Sequence, residues 1–231
     1  MSTLDTPPRW SLLAEGLLGW DLARSMLALP ELARAPRGRG DPVLVLPGYA
    51  AGDASTTVLR GVLRALGHDA RGWGLGRNGG DVPRLVPPLV RLAERLAGET
   101  RAPLRIVGWS LGGVLAREVA RERPELVARV VTLGSPVVGG PKYTAVGRMY
   151  RQRGVDLDAI EAAVAERERE HPLRVPVTAI YSRRDGVVSW RACIDASNSG
   201  VEHVEVSSTH AGLGFQPEVL AIVARRLADP P

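Results

Sequence analysis

Cysteine is almost missing from this chain: Cys193 stands alone in 231 residues. One cysteine can form no intrachain disulfide and no cysteine metal cluster. Lysine is equally scarce, Lys142 being the only one, and the other basic residues are arginines. These are scattered over helical stretches, without a block of five or six, so the net charge of +5 reads as solvated helix faces. No nucleic-acid partner is expected. The four histidines are dispersed and show no metal-ligand spacing. Neither a metal nor another cofactor is expected. No stretch approaches the roughly 20 uninterrupted apolar residues of a membrane-spanning helix. No secretory leader is expected, since Asp5 precedes any apolar run and the start lacks a basic stretch and a small-residue cleavage site. The expected location is cytoplasmic. Internal repeats and low-complexity segments are absent too.

What is present is ordinary globular material, 45% hydrophobic and 24% charged, of a length that suits one large single-core domain. Residues 1–40 read as an N-terminal helical extension. Its segment "WSLLAEGLLGWDLARSMLAL" spreads leucines and tryptophans over a broad face, and Pro30 is expected to end it. Packing against the domain is the favoured reading, with membrane contact through Trp10, Leu17 and Trp20 as the alternative. "RAPRGRGDP" is a polar connector into residues 41–231, where strand and helix patterns alternate. The strand candidates are "PVLVLPG", "HDARGWGLG", "PLRIVGW", "VARVVTLGSP", "VPVTAIYSRRDG" and "VEHVEVSS". Between them lie helices, one capped by Ser55 or Thr56 and closed by Gly67, another helical at least from Pro88 onward. Continuous Val/Ile/Leu runs imply strands covered on both faces. The fold class is α/β, with a mostly parallel sheet of about six strands and helices on both faces. Ligands of such sheets collect at the carboxyl ends of the strands.

The chemistry concentrates at those ends. In "RIVGWSLGGVLAREVA" an apolar strand gives way to a helix through Gly108-Trp109-Ser110-Leu111-Gly112, the G-x-S-x-G pattern in its strand-turn-helix setting. Flanking glycines relieve crowding in so sharp a turn, and Ser110 is left above a helix N-terminus whose dipole favours developing negative charge. A serine hydroxyl needs a base, and the base needs an acid to orient it. Of the histidines, His68 precedes an early strand, His171 sits at a charged helix end and His203 lies inside a strand pattern. His210, in the polar loop "SSTHAGLG" after the last strand, is the candidate base. Asp185, in the loop after the preceding strand, is the candidate acid, with Asp195 as a competitor further from the strand end.

The order Ser110, Asp185, His210 resembles the α/β-hydrolase superfamily, and within it small lipase- and esterase-like serine hydrolases, from about Pro42 to the end of the chain. The resemblance implies carboxylic ester hydrolysis through an acyl-enzyme: Ser110 attacks the carbonyl, His210 shuttles the proton and Asp185 holds the imidazole. It implies an oxyanion hole built from the backbone N–H groups of Leu111 and Tyr49. Tyr49 lies in "LPGYAAGDAST", where Pro47 stands in place of the histidine common in lipases. "TLGSPVVGG" is similar to the Gly-Ser/Thr-Pro segment of lipases, and Ser135 is given no catalytic role.

Trp109, Arg77 and Asn78 are the candidate substrate-binding residues, the last two through the loop "GWGLGRNGGD". The stretch 137–172 reads as an insertion, either a surface helix or a small lid, with Asp158 and Glu161 at capping-box spacing. The expected partner is a small ester or lipid. Two alternatives stay open: an acyltransferase using the same three residues, and a non-catalytic binding protein that keeps the fold.

Overall fold

The computed structural model describes residues 6–7 and 30–229. Most of the N-terminal helical extension, including Trp10, Leu17 and Trp20 of its membrane-contact alternative, therefore lies outside the described residues. Residues 30–33 are helical, and the Pro30 carbonyl accepts from the Arg34 N–H at 3.2 Å. Residues 30–33 are thus helical where the sequence reading expects a helix to have ended. Proline lacks a donor but retains an acceptor, so it can begin a turn whose later N–H groups bond back to it.

Six strands form one sheet: β1 Pro42–Leu46, β2 Asp69–Gly72, β3 Leu104–Trp109, β4 Val127–Leu133, β5 Val177–Tyr181 and β6 Val201–Glu205. Their order is β2-β1-β3-β4-β5-β6, and every neighbouring pair is parallel. The six strand candidates of the sequence contain these six strands. Alternate residues serve opposite faces. Leu44, Leu46, Leu104, Ile106 and Val130 belong to one buried cluster, and Val43, Val45, Val107, Val131 and Ile180 to the other.

Helices α1 Thr57–Ala65, α2 Val82–Thr100, α3 Leu111–Glu122, α4 Gly147–Gln152, α5 Leu157–Glu170 and α6 Pro217–Ala228 surround the sheet. α2 and α3 cover the first face with Leu89, Ala93, Leu115 and Val119. α1 and α6 cover the second with Leu59, Leu63, Leu220 and Val223. The two layers require apolar central strands, which is why β1, β3, β4 and β5 show runs rather than alternation, while the edge strands β2 and β6 carry charged residues.

Two helix starts, those of α1 and α5, depart from expectation. Thr56 does precede α1, but behind a short 3-10 turn, and its hydroxyl donates to the Asp53 carbonyl instead of capping an N–H. α2 begins six residues before Pro88, because Asp81 caps the Arg84 N–H at 3.2 Å and Pro83 fits the first turn. α5 is capped by Asp156, whose Oδ1 accepts from the N–H groups of Asp158 and Ala159, each at 3.0 Å. The Asp158–Glu161 box does not form. Both carboxylates instead meet Lys142 at 2.5 Å, and Glu161 also accepts from the Tyr143 hydroxyl at 2.6 Å. These ties hold α5 to the segment that follows β4.

The chain runs from β1 outward to β2 and then returns to place β3 on the other side of β1. The strand order reverses between β1 and β3, so their carboxyl ends part and leave a crevice there. The loop after β1 and the turn after β3 face each other across it.

Candidate active site

The turn after β3 is held in an uncommon shape. Ser110 has φ 55° and ψ −123°, left-handed backbone for a residue with a side chain. Such a conformation costs of order 1–3 kcal/mol and persists only where the surroundings impose it. They do so from two sides: the Ser110 N–H donates to the Leu133 carbonyl of β4 at 2.8 Å, and its carbonyl accepts from Gly113 at 2.9 Å. A side chain at Gly108 would overlap the Gly112 backbone. One at Gly112 would run into Leu46 and Pro47, and one at Gly113 into Ser135. The glycines therefore let the start of α3 press against the ends of β1 and β4. Leu111 opens α3, so its N–H has no carbonyl a turn earlier in the helix to receive it.

Across the crevice, Gly48 lets the loop after β1 lie on Ser110. A methyl group at Gly48 would sit 3.2 Å from Ser110 Cβ and 3.8 Å from Oγ. Tyr49 follows directly and lines the same cavity as Ser110 and Leu111. Its ring tilts against Tyr150 of α4, centroids 5.8 Å apart. Burial, reinforced by Tyr49, pushes the Tyr150 hydroxyl above its ordinary pKa, so it stays protonated.

Arg77 and Asn78 do not line that cavity among its described wall residues. They hold the loop from behind. Asn78 is fully buried, and its Nδ2 donates to the Pro47 carbonyl at 2.9 Å while its backbone exchanges 2.8 Å bonds with Ala50 and Ala51. Arg77 Nε donates to the Ala50 carbonyl at 2.8 Å. In the structure the contacts of these two clamp the Pro47–Ala51 turn. With proline at position 47, the fastening comes from this second loop.

The loops after β5 and β6 bring Asp185 and His210 together. Asp185 Oδ2 lies 2.6 Å from His210 Nδ1, and Oδ1 accepts the N–H groups of Val187 at 2.8 Å and Val188 at 2.7 Å. Both residues are buried, His210 at 9% exposure retaining an opening to the cavity that Ser110 also lines. Ser182 couples the two loops by accepting from the N–H groups of Arg184 at 3.0 Å and Ser208 at 3.1 Å. Trp109 lines the cavity as well, and its Nε1 donates to the His210 carbonyl at 3.2 Å.

Asp195 is engaged elsewhere. It pairs with Arg117 at 2.5 Å and accepts from Ser197 and Asn198. Burial alone would raise its pKa, but the Arg117 charge and these hydrogen bonds hold it well below the usual carboxylate range.

Gly134 is the residue the sequence reading passed over. It has φ 54°, and a Cβ there would lie 2.7 Å from Leu213 Cδ1, 2.8 Å from Asp185 Oδ2 and 3.1 Å from His210 Nδ1. Its signal was the Gly of "TLGSP", read only as part of a lipase-like segment.

The cavity is a cleft of about 1380 Å³, walled by the loop after β1, the start of α3, part of α2 and the stretch between β4 and β5. That last stretch supplies Val137, Val146, Tyr150 and Ile160. It is fastened to the Asp185 loop, with Ala145 N–H donating to Val187 O at 2.7 Å and Ser189 N–H to Tyr143 O at 3.0 Å. Among the described residues no group of three or more His, Cys, Asp or Glu is placed to hold a metal ion. Nor is any helix among them long and apolar enough to cross a membrane.

No family model matches the chain. Two curated proteins are 33% identical over parts of it. The polyketide synthase ThaQ of Burkholderia thailandensis is matched over 144 residues, 56% of this chain but 7% of the synthase. The pimeloyl-[acyl-carrier protein] methyl ester esterase of Edwardsiella ictaluri is matched over 72 residues, 31% of this chain and 25% of that protein. The chain thus spans a quarter or less of either relative's length. Among solved structures, the metagenome-derived lipolytic enzymes LipS and LipT superpose with a TM-score of 0.62 at 17% identity, covering 84% of this chain and 94% of the other. Lipase B of Aspergillus fumigatus gives 0.59 at 18% identity, covering 84% and 55%. The thioesterase domain from the curacin biosynthetic pathway gives 0.53 at 15% identity, covering 84% and 93%. The chain has the α/β-hydrolase fold, and its structural neighbours are lipases, esterases and thioesterases.

Proposed function

We propose that the protein is a serine hydrolase of carboxylic esters, working through an acyl-enzyme on Ser110. The observation that carries the reading is the convergence of three strand ends on one cleft: a strained Ser110 at the head of α3, and His210 held at 2.6 Å by Asp185. A binding protein has no use for a serine in costly backbone, nor for a buried carboxylate fastened by two N–H groups and aimed at an imidazole.

In this mechanism His210 takes the Ser110 proton as the hydroxyl attacks the ester carbonyl. Asp185 fixes the imidazole tautomer and stabilises the imidazolium that forms. The carbonyl oxygen, gaining negative charge, turns toward the N–H groups of Leu111 and Tyr49, with the α3 dipole behind it. Collapse of the tetrahedral species expels the alcohol, protonated by His210. Water, activated by the same His210, then releases the acid. An alcohol or amine in place of that water would make the reaction an acyl transfer, since the first half is shared. The stretch between β4 and β5 acts as a partial lid, sheltering the site while tied to the Asp185 loop.

Turnover of a graded series of aryl esters tests the reading. Wild-type protein hydrolyses them, and Ser110→Ala lowers kcat by about 10³-fold or more. Equal rates for the two proteins would refute it.

A further inference from the structure

The cleft continues well past Ser110. Leu111, Val114, Glu118 and Glu122, three or four residues apart on α3, form its floor. On one side α2 presents Val86 and Val90 and then Arg91 and Glu94. On the other, α5 presents Ile160, Ala163 and Val164 and then Arg167 and Glu168. Each stripe changes from apolar to charged, and the changes coincide in space. Glu94 pairs with Arg123 at the end of α3, while Arg167 pairs with Glu118 at 2.7 Å and also with Glu122. These bonds join α2 to α3 and α3 to α5. From Leu111 to Glu118 the helix rises roughly 10 Å, and that is the length of the apolar floor. Beyond it the arginines and glutamates neutralise one another, except that Arg91 is exposed and has no ion-pair partner among the described residues.

On the ester-hydrolase reading, on which this inference rests, the leaving oxygen must face His210 to receive its proton. The acyl side of the ester is then left to occupy the arm along α3. A methyl-terminated chain reaching Glu118 would strip water from ion pairs and return nothing for it. A terminal hydroxyl or carboxylate would keep those groups solvated or bonded, and Arg91 stands ready to donate to it.

We infer that the protein selects acyl groups whose apolar segment spans about 10 Å and ends in an oxygen-bearing terminus, a hydroxyl or a carboxylate.

The experiment compares p-nitrophenyl acetate, p-nitrophenyl octanoate and the ω-hydroxy and ω-carboxy counterparts of the octanoate, all with the full chain. The ω-oxygenated esters are expected to exceed the octanoate in kcat/KM by roughly two- to fivefold, the size of one exposed polar contact. Arg91→Ala removes the advantage of the carboxylate. Ala163→Trp, at an exposed position of α5, plugs the arm and lowers kcat/KM for all three long esters by at least about tenfold relative to acetate. Val90→Trp does the same from the opposite wall, and melting curves of both variants establish that they are folded. Octanoate turned over as fast as its oxygenated counterparts, or plugs that slow acetate and long esters alike, would overturn the inference. Failure of wild-type protein to hydrolyse any ester, acetate included, would instead defeat the hydrolase reading itself.

Discussion

Glycine 134 sets the tolerance of the site at the scale of single residues. Its missing side chain leaves room for the Asp185–His210 pair, and its φ of 54° strains any replacement. Gly134→Ala pushes a methyl group toward Asp185 Oδ2 and Leu213. A displacement of about 1 Å at such a pair costs roughly a hundredfold in rate. Steady-state kinetics of Gly134→Ala should therefore show kcat lowered by about that factor with KM little changed; an unaltered kcat would mean that the pair does not take part. Trp109 and Gly48 belong to the same class of close fit, one holding the His210 backbone and the other allowing a loop to lie on Ser110.

Among elements, the decisive contact is between two loops from neighbouring strands. Asn78, after β2, fastens the turn after β1 that carries Tyr49. Asn78→Ala leaves the buried Pro47 carbonyl without its donor, a loss of about 1–3 kcal/mol readable by urea unfolding. It also loosens the turn whose Tyr49 N–H is proposed to serve the oxyanion hole, so kcat/KM is expected to fall by more than the loss of stability alone would cause. Little of this was legible in the sequence. Asn78 sits among glycines and reads as a surface turn, and its partner Pro47 is brought near only by the β2-β1-β3 order. The four central strands were legible because burial on both faces writes itself as unbroken apolar runs; the edge strands β2 and β6, partly exposed and carrying Asp69, Arg71, Glu202 and Glu205, gave a weaker signal. Ser110, Asp185 and His210 could be picked out because each follows a strand pattern in a polar or glycine-rich loop. Helix starts were less so: Asp156 and Asp158 are chemically identical candidates, and Lys142, from another element, draws the second away from capping.

For the whole molecule, one buried group at the amino ends of the strands gives folding a pH dependence. His68 is 3% exposed, with Asp41 3.9 Å away and no hydrogen bond to either ring nitrogen among the described residues. Burial lowers its pKa below 6.5; Asp41 works against the shift and Arg105 adds to it. The unfolded chain, whose histidines titrate near 6.5, therefore takes up a proton that the folded chain resists. The stability tied to neutral His68 is complete above about pH 6.5 and is lost as the pH falls through that value toward the lower folded pKa. Unfolding free energies measured between pH 7.5 and 5.5 should decline for wild type and decline less for His68→Leu. Identical slopes would remove His68 from the account.

All three scales meet in the claim that Ser110 is a nucleophile activated by the His210–Asp185 pair. The most direct measurement is covalent labelling with a fluorophosphonate, followed by intact mass and peptide mapping. The expected result is a single adduct per chain on Ser110, absent from Ser110→Ala and formed far more slowly in His210→Ala. No adduct, or one placed on another serine such as Ser135, would contradict it.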